Sequence, residues 1–166
     1  MFLISKFIIF LLILVASFNI SPQVLAGNPA ISEQELRTLG FKEYETINPN
    51  RLIYPLKRFY ETLKLFPVKD PQKKAELSAQ LLDSRINELV YIANFKKTGF
   101  LEETTGRYNA LANKLIVLEY NKINPNFKKT AQTHILILEK IRDIYPANSE
   151  PWIIIQYTID TVKKLN

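Results

Sequence analysis

One long apolar stripe at helical spacing constrains the fold of this chain more than any other feature. After Asp70-Pro71, small and aliphatic residues recur at alternating intervals of four and three positions. They are Ala75, Ala79, Leu82, Ile86, Leu89 and Ala93. This spacing places all six on one face of a helix, and aspartate followed by proline is a favoured N-cap and first helical position. The pattern predicts a long helix over 71–97.

The same periodicity recurs along the rest of the chain, and no stretch shows the two-residue alternation of a β-strand. Ser32 and Glu35 form a capping-box pattern, and Gly40 is placed to end the short helix that they open. A second stripe, at 55–66, consists of Leu56, Phe59, Tyr60, Leu63 and Phe66. Further stripes predict helices over 101–122, over 127–145 after an Asn124-Pro125 cap, and over 152–162 after Ser149.

These helices predict an all-α fold, an antiparallel up-down bundle. Its two long central helices, 71–97 and 101–122, are joined through Thr98-Gly99, and so short a connection requires them to run antiparallel. We expect the bundle domain to cover 51–166. Residues 27–50 form a short helix in an otherwise irregular N-terminal segment.

The first 26 residues have the pattern of a signal peptide. Lys6 precedes an apolar run over 7–18, and Val24-Leu25-Ala26 fits a cleavage site. An uncleaved membrane anchor is the alternative, although the run is shorter than the ~20 residues of a spanning helix. Both interpretations place the remainder outside the cytoplasm, either secreted or at the cell surface.

Composition limits the classes of partner. The chain has no cysteine, so its stability must come from a packed core rather than from disulfides. The net charge is +6, and removal of Lys6 with the signal peptide lowers it to +5. For an exported protein, a basic balance of this size favours an anionic envelope surface over nucleic acid.

Several stretches resemble a bacterial family of exported all-helical proteins known only as a domain of unknown function. The family pattern combines Tyr-x-Leu-Lys-Arg, Asp-Pro-x-x-Lys-Ala-Glu, Arg-x-x-Glu and His-x-x-x-Leu-Glu-Lys, closed by proline. The matching residues are Tyr54, Leu56, Lys57, Arg58, Asp70, Pro71, Lys74, Ala75, Glu76, Arg85, Glu88, His134, Leu138, Glu139, Lys140 and Pro146. Lys69 stands where the pattern has an aromatic residue. The resemblance implies a helical, exported protein but no activity.

Candidate catalytic or metal-binding residues are few. His134 is the single histidine and falls within an apolar stripe, where we expect it to form a hydrogen bond across the bundle. No Glu-x-x-His or His-x-x-x-His pattern accompanies it, which disfavours a metal or cofactor. Arg85 and Glu88 are interpreted as an ion pair within one helix, and Glu76 and Asp83 have no catalytic partner nearby in sequence. The sequence therefore predicts no enzyme.

Lysines gather at one end of the predicted bundle, which we call the basic end. Its members are Lys64, Lys69, Lys73, Lys74, Lys122, Lys128 and Lys129. Four of them lie in the first turns of helices, where positive charge opposes the helix dipole by a few tenths of a kcal/mol. They indicate either an anion-binding site or an ordinary solvated surface.

The sequence thus favours an exported, non-catalytic module that binds an anionic surface or a protein partner through its basic end. A sensor or chaperone-like helical protein is the alternative. A membrane enters only if the N-terminal segment is retained, and no ligand, specific partner or oligomeric state follows from the sequence.

Overall fold

A computed structural model describes residues 30–166 of the chain, and this part is all-helical, as predicted. It contains seven α-helices and one 3₁₀ turn, at Thr98–Phe100. The helices are α1 (Glu33–Thr38), α2 (Tyr54–Leu65), α3 (Pro71–Asn94), α4 (Leu101–Val117), α5 (Tyr120–Ile123), α6 (Phe127–Arg142) and α7 (Glu150–Lys163). The predicted signal peptide and its cleavage site near Ala26 lie outside the described residues.

Four helices enclose the main core. Helix α3 packs on α4 and α6, and α7 packs on the same two helices from the other side. The fully buried side chains along these helices include Leu82 and Leu89 of α3, Leu115 of α4, Leu138 of α6 and Ile159 of α7. All five lie on the stripes predicted from the sequence. Ser78 and Arg85 of α3, which are not members of its predicted stripe, are also buried. Within 30–166, no helix is both long and apolar enough to cross a membrane.

The start of α3 follows the predicted capping. Asp70 is extended, and its side chain accepts a hydrogen bond of 2.9 Å from the amide of Gln72, while Pro71 is the first helical residue. At the other end, Asn94 closes α3 and Lys96 has a left-handed φ of 53°. The helix is therefore shorter than the predicted 71–97.

Three further predicted boundaries are wrong. The helix expected over 101–122 stops at Val117, because Glu119 is left-handed with φ of 49°, and a separate short helix, α5, begins at Tyr120. This break turns Tyr120 into the core, where it packs edge-on against Phe127. The N-cap of α6 is Asn126 rather than Asn124, and α6 ends at Arg142, before Tyr145.

The segment before α2 packs against the bundle. Ile31, Leu36 and Phe41 are buried in the same core as the long helices. The side chain of Asn94 accepts a hydrogen bond from the amide of Ile31 at 2.9 Å and donates one to its carbonyl at 3.1 Å. Residues 30–50, expected to be irregular apart from one short helix, thus add three apolar side chains to the core.

Candidate functional site

Helix α2 presents its polar side to the bundle. Tyr54 and Glu61 are buried, and Lys57 and Arg58 are half-buried. These residues recur at intervals of three and four, so they lie on one face, the face that meets α3. The helix is amphipathic, as predicted, but its polar side rather than its apolar side is buried against the bundle.

The inward side chains of α2 join a network that we call the buried ion cluster: Tyr54, Lys57, Arg58, Glu61, Arg85 and Glu88. Arg85 and Glu88 of α3 have fully buried side chains, and Arg85 pairs with both Glu88 and Glu61. Lys57 Nζ lies 2.8 Å from Glu88, and the Tyr54 hydroxyl lies 3.0 Å from the same carboxylate. The predicted pair of Arg85 and Glu88 within one helix is confirmed, and it is part of a larger network.

Charge in the buried ion cluster is nearly balanced. Three cations, Lys57, Arg58 and Arg85, face the carboxylates of Glu61 and Glu88, and Glu45 supplies a third carboxylate, 2.9 Å from Lys57. Burial, followed by the negative charge of Glu88, raises the pKa of the Tyr54 hydroxyl. Because these charges pair with one another across the two helices, the cluster fixes the position of α2 against α3.

The other side of α2 exposes five apolar residues, which we call the outward apolar face. The exposed fractions of these five residues range from 50 to 85 %. They are Leu56 (67 %), Phe59 (61 %), Tyr60 (58 %), Leu63 (50 %) and Phe66 (85 %). The expectation that this stripe docks against the bundle is wrong. The buried ion cluster occupies that position, and the buried Glu61 and half-buried Lys57 cannot turn outward without leaving Arg85 and Glu88 short of partners.

The seven lysines of the basic end are mostly exposed, with Lys74 half-buried. Lys122 pairs with Glu119 at 2.7 Å, and Lys64 lies 4.7 Å above the ring of Tyr60 on the outward apolar face. The other five have no ion pair among the described residues. Lys73, Lys74, Lys128 and Lys129 lie in the first turns of α3 and α6, as predicted, and neither first turn contains an acidic residue.

A cleft of about 310 Å³ lies between the first half of α3 and the start of α6. Glu76 and Asp83 line it from α3, and Asn126 and Thr130 line it from the start of α6. Glu61, near the C-terminal end of α2, lies in the buried ion cluster. The carboxylate at that position therefore does not offset the lysines at the surface.

His134 forms the predicted hydrogen bonds across the bundle. Its Nδ1 lies 2.9 Å from the Tyr108 hydroxyl of α4, and its Nε2 lies 3.2 Å from Asp83 of α3. Burial raises the pKa of the Tyr108 hydroxyl, so this group stays protonated and donates to Nδ1, which leaves Nε2 to donate to Asp83. Neither His134 nor Tyr108 lines the cleft that Asp83 reaches. The arrangement holds three helices together and does not expose the imidazole to a substrate.

Arg85 carried a signal that the sequence interpretation did not use. It follows Leu82 by three positions and precedes Leu89 by four, which places it on the buried side of the α3 stripe. A charged residue within such a stripe requires a buried partner, and the polar residues of α2 recur at the spacing needed to supply it. This combination predicts which side of α2 faces inward.

Residues 46–148 match the model of a family described as Domain of unknown function (DUF5667). The chain belongs to this family. The DUF5667 match covers α2 to α6 and stops before α7. It includes the buried ion cluster and all seven lysines of the basic end. No match was found among curated proteins or among solved structures.

Proposed function

We propose that this protein is an exported, non-catalytic helical module that docks on an anionic membrane surface. The outward apolar face of α2 enters the interface, and the lysines of the basic end contact the lipid headgroups. The observation that carries the proposal is the exposure of five apolar residues on one helix whose polar side is fixed inward. Such a helix, lying in the plane of the interface, is a common membrane-binding element.

The composition of α2 supports a lipid partner. Phe59, Tyr60 and Phe66 are aromatic, and aromatic side chains favour the boundary between headgroups and acyl chains. Lys64 borders this face through its contact with Tyr60. The charges on the inward side of α2 are neutralised, so the cations available to a headgroup are those at the edge and end of the helix.

The proposed arrangement of the bundle brings further lysines to the same end. In an up-down bundle, the starts of α3 and α6 lie together, and the cleft shared by Glu76 and Asn126 supports this placement. Lys73, Lys74, Lys128 and Lys129 would then form one positive area. Each lysine close to an anionic membrane contributes ~1 kcal/mol to binding, so several together produce a strong dependence on salt.

The test is co-sedimentation of the full chain with vesicles that contain either neutral or anionic lipid. One variant replaces Leu56, Phe59 and Leu63 by Gln, and a second replaces Lys73, Lys74, Lys128 and Lys129 by Gln. A matched control replaces Ile153 and Tyr157 of α7, which are also exposed apolar residues, by Gln. Residues 1–29 are identical in all variants, so differences in binding report on 30–166.

Both α2 and lysine variants should lose binding to anionic vesicles, and the α7 control should bind like wild type. Equal binding of all variants to anionic vesicles, or equal binding of wild type to neutral and anionic vesicles, would refute the proposal.

A chaperone-like role is the second candidate, because an exposed apolar face also suits unfolded clients. In that case, the α2 variant alone would lose the ability to suppress aggregation of a client protein.

A further inference from the structure

A second cleft, of about 250 Å³, lies on the opposite side of α2 from the outward apolar face. We call it the α2–α4 cleft. Arg58 and Leu65 line it from α2, Leu81 from α3, and Arg107, Leu111 and Lys114 from α4. Helix α2 packs mainly on α3, so a gap remains between α2 and α4.

Positive charge in the α2–α4 cleft exceeds negative charge. Lys114 has no ion pair or side-chain hydrogen bond within 30–166, and burial together with the nearby charge of Lys74 lowers its pKa. The terminal nitrogens of Arg107 already bond to Glu103 and Thr104, but its Nε is buried and has no hydrogen-bond partner in the described part of the chain. Glu61, the acid of the lining, is already shared by Arg85 and Arg58. An anion would compensate this charge.

Apart from Thr62, the remainder of the lining is aliphatic. Leu65, Leu81 and Leu111 come from three different helices and face the same space. An inorganic anion would leave these surfaces without contacts, whereas a carboxylate with a hydrocarbon chain would use both kinds of lining. The volume falls just below the usual range for small-molecule pockets, ~300–1,000 Å³, which favours one short chain over a two-chain lipid.

We infer that the α2–α4 cleft binds a small amphiphilic carboxylate of the medium-chain fatty acid class. The carboxylate pairs with Lys114 and Arg107, and the hydrocarbon chain lies along Leu65, Leu81 and Leu111. This site does not depend on membrane docking, because it uses the inner side of α2 and residues of α4. Either proposal can fail while the other holds.

The test is isothermal titration calorimetry of the full chain with octanoate below its micellar concentration. Octylammonium carries the opposite charge on the same chain, acetate carries the carboxylate without the chain, and octyl phosphate tests whether a lipid-type headgroup replaces the carboxylate. We expect octanoate to bind at one site, acetate at least tenfold more weakly, and octylammonium not at all. Tighter binding of octyl phosphate than of octanoate would overturn the assignment to carboxylates.

Variants of Lys114 locate the site. Lys114→Gln should weaken octanoate binding at least tenfold, and Lys114→Arg should restore most of it, with circular dichroism confirming an intact fold in both. Lys163→Gln, at an exposed position of α7, is the matched control. Octanoate binding that survives Lys114→Gln lies outside the cleft and overturns the inference. If Lys114→Gln fails to fold, Leu111→Ser serves as the second variant, with the same expected loss.

Discussion

Arg85 and Glu61 form an ion pair that joins α3 to α2 with almost no exposure to water, since their side chains are 0 % and 8 % exposed. Arg85 also pairs with Glu88, and its NH1 group lies 3.1 Å from the Tyr54 hydroxyl. One guanidinium therefore connects three groups on two helices. This connection determines that the polar side of α2 faces the bundle.

Removing this guanidinium should destabilise the protein strongly. Arg85→Ala leaves two buried carboxylates short of a partner, and breaking a buried pair from one side typically costs ~3–5 kcal/mol of the free energy of unfolding. Arg37→Ala is the control, because it removes an exposed pair with Glu33 and should cost less than ~1 kcal/mol. Urea unfolding followed by circular dichroism measures both. A loss below 1 kcal/mol for Arg85→Ala would show that the cluster does not hold α2.

The orientation of α2 can be tested by two leucine truncations. Leu63 is 50 % exposed on the outward apolar face, whereas Leu115 of α4 is fully buried. Leu115→Ala should lower the free energy of unfolding by ~2–5 kcal/mol, because it leaves a cavity in the core. Leu63→Ala should change it by ~0.5 kcal/mol or less. Equal losses in urea unfolding would mean that α2 docks through its apolar side.

Helix positions were predictable from sequence because caps and stripes act locally. Asp70-Pro71 and Ser32 cap their helices as expected, and each amide contact involves residues two or three positions apart. The aromatic residues Tyr91 and Phe95, which lie off the predicted stripe of α3, pack together with Tyr44. Tyr120 also packs in the core. Local patterns and apolar periodicity were sufficient for the helix positions, but not for these aromatic contacts.

The side of α2 that is buried was not predictable from hydrophobicity alone. Apolar area favours burying Leu63 and Phe66, but Arg85 and Glu88 already occupy the facing surface of α3. The cost of leaving these charges unpaired exceeds the gain from burying the leucine and the aromatic side chains. Deciding between the two orientations requires knowing which surface of α3 meets α2. The break at Glu119 was missed for a similar reason, since burial of Tyr120 depends on the packing of Phe127.

Removing the hydroxyl of Tyr145 and removing that of Tyr108 should affect the free energy of unfolding differently. The Tyr145 hydroxyl is buried without a hydrogen-bond partner in residues 30–166, whereas the Tyr108 hydroxyl bonds to His134. Tyr145→Phe should leave the free energy of unfolding unchanged or raise it by ~1 kcal/mol, because it removes an unsatisfied polar group. Tyr108→Phe should lower it by ~1–3 kcal/mol, because it leaves Nδ1 of His134 unpaired. Thermal unfolding distinguishes them, and a larger loss for Tyr145→Phe would contradict the assignment.

Stability should fall at alkaline pH through the buried tyrosines. Burial raises the pKa of Tyr54, Tyr108 and Tyr145 in the folded chain, while tyrosine in the unfolded chain ionises near pH ~10. Above that pH, the unfolded state binds fewer protons than the folded state, so the free energy of unfolding decreases as pH rises. The stability that these protonated tyrosines contribute is fully present below pH ~10. Above that pH, each fully buried tyrosine lowers the free energy of unfolding by ~1.4 kcal/mol per pH unit.

Tyr108→Phe isolates one part of this slope. Between pH 9 and pH 11, this variant should lose ~1.4 kcal/mol less stability than wild type, as measured by urea unfolding at both pH values. Tyr157→Phe, which alters an exposed side chain of α7, should keep the wild-type slope. If Tyr108→Phe has the wild-type slope as well, Tyr108 ionises as readily in the folded protein as in the unfolded chain.

Two glycines should tolerate alanine very differently. Gly106 lies in the interior of α4, and a Cβ there would meet no heavy atom within 4 Å, so Gly106→Ala should raise the free energy of unfolding by ~0.5–1 kcal/mol through helix propensity. Gly40 has φ of 93°, and a Cβ would lie 3.3 Å from Cγ2 of Thr133. Gly40→Ala should therefore cost at least ~1 kcal/mol, because alanine is strained in this conformation. Thermal unfolding of both variants checks the signs. A stabilising Gly40→Ala would mean that the turn after α1 is not held against α6, since relief of chain entropy would then outweigh the strain.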